Sequence, residues 1–204
     1  MNNYITEALG AFFLVTAVGF TGDPYTIGLT LAVLIYCGGH VSGGHYNPAV
    51  SLAVYLRKGI RAQQLIIYWI AQLIGASLAA IFFLLIHGKT FAVSPSSDYT
   101  FFQWFLIELV GTLALTLVVL SVATASKLRG NYIYGFAIGM TLACMASIGG
   151  KISGGAFNPA VALGPDLIDA LHGGRSISNA LLYIAGPFTG ATIAASLFGF
   201  MNEE

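Results

Sequence analysis

One nine-residue stretch occurs twice in this chain, and it constrains the fold more than any other feature. It runs from Ser42 to Val50 and again from Ser153 to Val161, with seven of the nine positions identical. Each copy is a glycine-containing loop that leads into Asn-Pro-Ala. Asparagine is a strong helix N-cap, and proline is favoured at the first helical position because its missing N–H group would have no partner there. Both copies therefore predict the start of a helix, capped by Asn47 and Asn158, respectively.

The apolar run after each motif is too short to cross a membrane. We predict half-helices over 48–56 and 159–170, and the first of these spans only ~14 Å against ~30 Å of hydrocarbon. Two half-helices that meet end to end at the midplane would together cross the bilayer. Non-helical backbone at that depth is tolerated only where it lines a cavity or is buried in protein. The repeat therefore predicts a pore, with the two asparagine amides free to donate hydrogen bonds at its centre.

The composition is that of a membrane protein. Of the 204 residues, 57% are apolar and 8% are charged, with a formal net charge of zero, whereas a soluble domain has about 25% charged residues. We expect an all-α integral membrane protein with neither a nucleic-acid partner nor a polybasic anchor. The first ten residues contain one glutamate and no lysine or arginine, so we expect the first helix to be retained. Cys37 and Cys144 lie in apolar runs, which favours buried free thiols over a disulfide.

The duplication extends beyond the two loops. Gly28–Ala32 matches Gly139–Ala143, and further matches in the third helix of each half place three spanning helices on either side of a polar loop. An odd number of helices inserts the second half upside down, so the two loops enter from opposite faces. We expect a first inverted repeat over 1–87, a connecting loop over 88–100 and a second repeat over 101–204. The predicted spanning helices are 4–20, 25–41, 62–87, 101–125, 132–148 and 178–201.

Basic residues give a weak prediction of orientation. Five lie in the connections that share a face with the termini: Arg57, Lys58, Arg61, Lys127 and Arg129. Three lie on the other side: Lys89, Lys151 and Arg175. By the positive-inside rule both termini are cytoplasmic and the 88–100 loop is extracytoplasmic. Compact loops and the lack of a disulfide pattern favour a bacterial inner membrane.

At this point the residues resemble a known family. Three features are similar to those of the major intrinsic proteins, the aquaporins and aquaglyceroporins. They are the paired Ser-Gly-Gly-x-x-Asn-Pro-Ala loops, Glu7 and Glu108 near the start of the first and fourth helices, and Gln72 with Gly75 in the third helix. Two such motifs 111 residues apart within a matching repeat are a specific signal. The resemblance covers essentially the whole chain. It implies six transmembrane helices plus two re-entrant half-helices, and a homotetramer in the lipid membrane with a pore in each subunit. The implied function is a passive channel for water and small neutral solutes rather than an enzyme. No cofactor or metal is expected.

The resemblance also assigns pore residues. The two motifs that meet at the pore centre are Asn47, Pro48, Ala49, Asn158, Pro159 and Ala160, and the backbone carbonyls expected to face the lumen belong to Gly43, Gly44, His45, Gly154, Gly155 and Ala156. Acceptors along one wall would give a solute a ladder of hydrogen bonds opposite an apolar wall. The positive ends of the two half-helix dipoles would oppose cations at the midplane.

Four ionisable side chains near the loops leave alternatives open. Glu7 and Glu108 lie within apolar helices, where an unpaired charge costs ~2.5–3.5 kcal/mol on insertion scales. They are either proton-relay groups or acceptors for the N–H groups of the loops, and their symmetric spacing favours the second role. His40 and His45 flank the first loop, and a loop-bracing hydrogen bond is favoured there over a pH gate.

The residues at the outer constriction depart from the family pattern. By spacing from the motifs, the four filter positions are Ile27, Ala146, Gly155 and Val161. Aquaporins and glycerol channels normally have arginine where Val161 stands, and water-selective members usually have an aromatic residue at the position of Ile27 and a histidine at the position of Ala146. We expect a wider, more apolar opening that passes solutes of glycerol or urea size and also arsenite and methylated arsenicals, since some bacterial members linked to arsenic handling similarly lack this arginine. Lys151, seven residues before Asn158, is a candidate to replace part of the missing charge.

Two other classes of function are compatible with parts of the sequence. A membrane scaffold with a closed or gated pore would keep the fold but pass no solute. Proton-coupled transport or catalysis within the membrane would need clustered ionisable groups. The sequence offers one membrane carboxylate per half and no catalytic or metal-ligand spacing, so the open channel is favoured.

Overall fold

The computed structural model describes residues 1–202, and the described part of the chain contains eight α-helices and no β-strand. Six of the helices are long and apolar enough to cross a membrane, and the third and seventh are the two half-helices. Short 3₁₀ turns lie at Ser126–Leu128 and Ser176–Asn179. The helices are α1 (Asn2–Thr21), α2 (Pro24–Ser42), α3 (Pro48–Leu56), α4 (Ala62–His87), α5 (Phe101–Thr124), α6 (Tyr134–Ser153), α7 (Pro159–Leu171) and α8 (Ala180–Met201).

Capping residues set several of the helix ends. Asp23 caps α2 and accepts hydrogen bonds from the Thr26 hydroxyl and the Thr26 backbone N–H, both at 2.7 Å; these two bonds, the hydroxyl first, hold the pKa of Asp23 below its usual value. The end of α6 lies five residues beyond the predicted Ile148, because Gly149 and Gly150 remain helical. The helix ends only where Gly154 adopts a left-handed conformation, with φ of 88°, which glycine tolerates best.

Each half contains a matching pair of closely packed helices. In the first half, Gly75 of α4 lies against the backbone of α1, and a Cβ at this position would collide with the Ala8 carbonyl oxygen. In the second half, Gly190 of α8 lies against α5 in the same way, with Leu109 in the place of Ala8. Small residues of this kind allow membrane helices to approach at backbone distance.

The two halves join through α2 and α6. Gly28 and Gly139 face each other across this contact, and a Cβ on either would collide with the carbonyl oxygen of the other. The half-helices α3 and α7 also touch, in the middle of the bundle. The two halves therefore share one core.

Six crossings divide the connections between two faces of the molecule. The N-terminal face carries Met1, residues 57–61 and residues 125–133, whereas the opposite face carries residues 88–100 and residues 172–179. The α3 half-helix enters from the N-terminal face and returns to it. The α7 half-helix does the same from the opposite face.

The cysteines are placed differently from the prediction. Cys37 and Cys144 are free, as expected, but both are exposed on the surface of the bundle. The prediction of burial was wrong because a membrane helix is apolar on the side that faces lipid as well as on the side that faces the core. Hydrophobicity alone therefore does not distinguish the two faces.

Candidate functional site: a cavity through the helix bundle

The two asparagines cap their half-helices through their side-chain oxygens. Asn47 Oδ1 accepts from the backbone N–H of Ala49 at 2.8 Å, and Asn158 Oδ1 accepts from that of Ala160 at 3.0 Å. A proline follows each asparagine at the start of the helix. Both amide nitrogens are therefore directed away from their own helices and toward the centre of the bundle.

The amide nitrogens make a crossed pair of hydrogen bonds between the two loops. Asn47 Nδ2 donates to the Phe157 carbonyl and Asn158 Nδ2 donates to the Tyr46 carbonyl, each at 2.9 Å. An asparagine amide has two hydrogens, so only the second remains for a molecule in the cavity. This corrects the expectation that the whole amide is free.

The residue before each asparagine has an unusual backbone conformation. Tyr46 and Phe157 both have φ of +48°, in the left-handed region that residues with a Cβ rarely adopt. This conformation turns each carbonyl toward the opposite loop, where the asparagine of the other repeat donates to it. Strain of this kind persists only where surrounding contacts hold it in place.

Two buried glutamates supply those contacts. Glu7 accepts from the Ser42 hydroxyl at 2.6 Å and from the backbone N–H groups of His45 at 3.0 Å and Tyr46 at 2.7 Å. Glu108 accepts from the equivalent three groups at the same distances; these donors are Ser153, Ala156 and Phe157. Neither glutamate is among the residues that line the cavity. The geometry therefore fits a loop-holding role for both carboxylates.

The first loop has an additional side-chain brace that the second loop lacks. Gln72 Nε2 donates to Glu7 at 2.8 Å and to the Ser51 hydroxyl at 3.0 Å, and His45 Nδ1 lies 3.0 Å from the same hydroxyl. The ring of His45 thus braces the loop while it also lines the cavity. The matching positions of the second half have no polar side chain: they are Ala156, Ala162 and Pro187.

A cavity of about 1070 Å³ passes both asparagines and reaches toward both faces of the bundle. Gln64 and Asn131 line it near the N-terminal face, and Pro24 and Lys151 line it near the opposite face. The predicted carbonyl and filter residues line it as well: Gly43, Gly44, His45, Gly154, Gly155, Ala156, Ile27, Ala146 and Val161. The remaining motif residues are buried behind the lining: Pro48, Ala49, Pro159 and Ala160.

The lining is mostly apolar and has no negative charge. No aspartate or glutamate of the described residues contributes to it, and the lysine and arginine side chains are Lys151 near the opposite face and Arg129 near the N-terminal face. With the positive ends of α3 and α7 between them, the potential along the cavity disfavours cations. Apolar side chains from several helices complete the wall, among them Leu14, Ile35, Leu115, Ile138 and Leu142.

Sequence reasoning missed one lining residue in the 88–100 loop. Val93 is buried against the cavity next to Gly154. The loop is held there because the Ser96 N–H donates to the Ile152 carbonyl and the Trp104 indole donates to the Ser96 carbonyl, both at 3.0 Å. No periodicity marks an irregular loop, so the sequence carried no signal for this contact.

Six spanning helices, two half-helices joined through their capping asparagines and a cavity between them define a membrane channel of the aquaporin type. The sequence model of the family described as Major intrinsic protein matches residues 16–198. The chain belongs to the major intrinsic protein family, and it is a passive channel for water and small solutes, not an enzyme.

Individual relatives agree with this assignment. The chain is 33% identical to "Probable aquaporin AqpM" of Archaeoglobus fulgidus over 199 residues, which cover 92% of this chain and 80% of the relative. It is 33% identical to "Glycerol uptake facilitator protein-like 6" of Lactiplantibacillus plantarum over the full length of both chains. The X-ray structure of the aquaglyceroporin from Plasmodium falciparum matches with a TM-score of 0.84 at 24% identity, covering 97% of this chain and 94% of that one, which supports the fold.

Proposed function

We propose that this channel has a wide, arginine-free constriction and passes uncharged solutes of glycerol and urea size, extending to arsenite and methylated arsenicals. The observation that carries the proposal is the composition of the cavity wall at Ile27, Ala146, Gly155 and Val161. None of these four positions has an arginine, histidine or aromatic side chain. A solute with hydroxyl groups on a carbon or metalloid centre suits this arrangement. Its hydroxyl groups would donate to the loop carbonyls, and its other side would face the apolar wall.

Val161 is the proposed determinant of this breadth. It follows directly on the second Asn-Pro-Ala and is 4% exposed within the fold. An arginine at this position would add bulk, a fixed positive charge and five N–H donors. Its absence removes the group that would otherwise narrow the opening and select for water.

The test is stopped-flow light scattering on proteoliposomes under gradients of water, glycerol, urea and arsenite. We expect the wild type to pass all four, and Val161→Arg to retain water flux while rejecting the larger solutes. Val161→Leu is the matched control, because it adds bulk without charge. Equal fluxes in the wild type and Val161→Arg for every solute would show that Val161 does not line the constriction.

The alternative of a closed or gated scaffold predicts a different result in the same assay. The continuous cavity past both asparagines favours the open channel. A folded, reconstituted protein that conducts neither water nor any solute would favour the scaffold instead. Flux of water alone would show that another group narrows the mouth.

We also infer a homotetramer with one pore in each subunit, in a bacterial inner membrane with both termini cytoplasmic. The family resemblance supports the tetramer, and the excess of basic residues on the N-terminal face supports the orientation. Light scattering of the purified protein, corrected for bound detergent, tests the subunit number. A monomeric mass in mild detergent and in native membranes would contradict it.

A further inference from the structure

Two carboxylates near the end of α7 take no part in the channel described above. Asp166 is fully buried, with 0% of its surface exposed, and neither carboxylate oxygen has a hydrogen-bond partner among residues 1–202. Asp169, one helical turn later, is half-buried. It accepts from the Thr90 hydroxyl at 2.7 Å and from the Ser176 hydroxyl at 2.8 Å.

Asp166 and Asp169 are three residues apart in α7, so their side chains lie on the same side of the helix. The turn that contains Ser176 packs against this helix. A buried carboxylate beside a second carboxylate is unfavourable unless something neutralises it. The unpartnered oxygens of Asp166 are thus available as acceptors for a positively charged ligand.

We propose that Asp166 and Asp169, with the hydroxyl oxygens of Thr90 and Ser176, bind a divalent cation of the Ca²⁺ type at the opposite face. Hard cations of this kind prefer carboxylate, hydroxyl and water oxygens. Two carboxylates match the charge of a divalent ion. Because Thr90, Asp169 and Ser176 are only half-buried, solvent water has access to complete the coordination.

A transition metal fits the group less well. These metals favour imidazole or thiolate ligands, and no group of three or more His, Cys, Asp or Glu side chains occurs in the part of the chain that the structure describes. The Nδ1 atom of the nearby His172 lies 2.8 Å from the Ile168 carbonyl oxygen. The four side chains proposed as ligands therefore all contribute oxygen atoms.

The ion would join three segments that shape the mouth of the cavity at the opposite face. Thr90 belongs to the loop that places Val93 in the cavity wall, and Asp166 belongs to the half-helix that begins behind Asn158. Ser176 lies in the turn that leads into α8. We expect bound Ca²⁺ to stabilise the folded protein, because a ligand that binds only the folded state raises its stability.

The experiment titrates Ca²⁺ into the full-length protein, purified in detergent and freed of divalent ions with a chelator, and measures heat release and melting temperature. K⁺ at matched ionic strength is the salt control. We expect a dissociation constant on the order of 10⁻⁴–10⁻³ M, typical of sparse extracellular sites, and a melting temperature that rises with Ca²⁺ but not with K⁺. Asp166→Asn should weaken binding by about tenfold or more, whereas Asp98→Asn, an exposed carboxylate on the same face, should leave it unchanged.

Two further variants keep the proposal falsifiable if Asp166→Asn folds poorly. Asp169→Asn and Ser176→Ala should each weaken Ca²⁺ binding while the protein remains folded. Equal Ca²⁺ binding by the wild type and these variants would overturn the proposal. It would also be overturned if Ca²⁺ has no effect while acidification raises the melting temperature in an Asp166-dependent manner, because the pair would then hold a proton instead.

Discussion

Asn47 and Asn158 each use their side chain in two directions at once. The oxygen caps the half-helix, and one amide hydrogen holds the opposite loop. We propose that the amide hydrogen that remains donates to a solute. The cap and the loop contact therefore depend on a single side chain in each repeat.

Substitution by aspartate tests this dependence. Asn47→Asp and Asn158→Asp retain the capping oxygen but replace the amide donor with a carboxylate oxygen that faces the carbonyl of Phe157 or Tyr46, respectively. We expect the water permeability per folded molecule to fall by at least about tenfold, since the carbonyl loses its donor and meets a negative charge instead. Asn202→Asp, at the end of α8, is the control. Normal permeability at normal expression would contradict a donor role.

The buried glutamates make a second prediction at this scale. Glu7→Gln and Glu108→Gln each replace a carboxylate oxygen with an NH₂ group. This donor would then face the hydroxyl and backbone N–H donors that bind the native carboxylate. We expect each change to lower the free energy of unfolding by more than about 2 kcal/mol, because several charge-assisted hydrogen bonds are lost. Denaturation in mixed micelles measures the effect. Stability equal to that of Asp98→Asn would show that the loops are held by other contacts.

At the residue scale, the sequence predicted the caps but not the contacts across the repeat. Asn-Pro-Ala identifies a helix start wherever it occurs, because capping is a local property. The acceptors of the two amides are carbonyls more than 100 residues away in the chain, positioned by Tyr46 and Phe157 in left-handed conformations. Neither residue type favours that conformation, so no local rule indicates it. The burial of the unpartnered Asp166 was not predicted from the sequence for a similar reason, since it depends on packing against several elements.

At the scale of elements, glycine positions decide how closely the helices pack. Gly75 and Gly190 occupy equivalent positions in the two repeats, and each allows contact with the backbone of a neighbouring helix. Helix bounds were predicted to within two residues for most elements, because the apolar runs are sharply delimited. The main exception is α6, where a Gly-Gly pair that often ends helices lies inside one.

Alanine at these glycines tests the close packing. Gly75→Ala and Gly190→Ala should force α4 from α1 and α8 from α5, respectively, and lower the melting temperature in detergent. Gly150→Ala is the control, because a Cβ there meets no other atom within 4 Å. Within α6, alanine has a higher helix propensity than glycine, which stabilises the helix by up to about 1 kcal/mol. Equal melting temperatures for all three variants would mean that the helices separate at no measurable cost.

At the scale of the whole molecule, the inverted repeat determines which connections share a face. Because each half has an odd number of spanning helices, the second half must have the opposite orientation to the first. The relative placement of the loops therefore followed from the sequence. The absolute orientation does not follow from the fold, since the repeat is nearly symmetric about the membrane plane. It depends on a small excess of basic residues, which is a property of the loops alone.

Chemical labelling measures this orientation. In a variant whose Cys37 and Cys144 are replaced by alanine, single cysteines at the exposed Ser126 and Ser97 report the N-terminal face and the opposite face, respectively. With cytoplasmic termini, a membrane-impermeant maleimide should label the Ser97→Cys variant in intact cells and the Ser126→Cys variant only after lysis. The reverse pattern would invert the proposed orientation, and lysed cells provide the control for reactivity at both sites.

The crossed hydrogen bonds between the loops also bear on how the chain is made. A ribosome completes the first repeat, including α3 and Asn47, long before it reaches Phe157, which lies 110 residues later. During that interval the first loop has no opposite loop to bond, and the Asn47 side-chain amide lacks the Phe157 carbonyl as its acceptor. The centre of the pore assembles only after the second repeat has been synthesised, so biogenesis of the channel depends on both copies of the duplication.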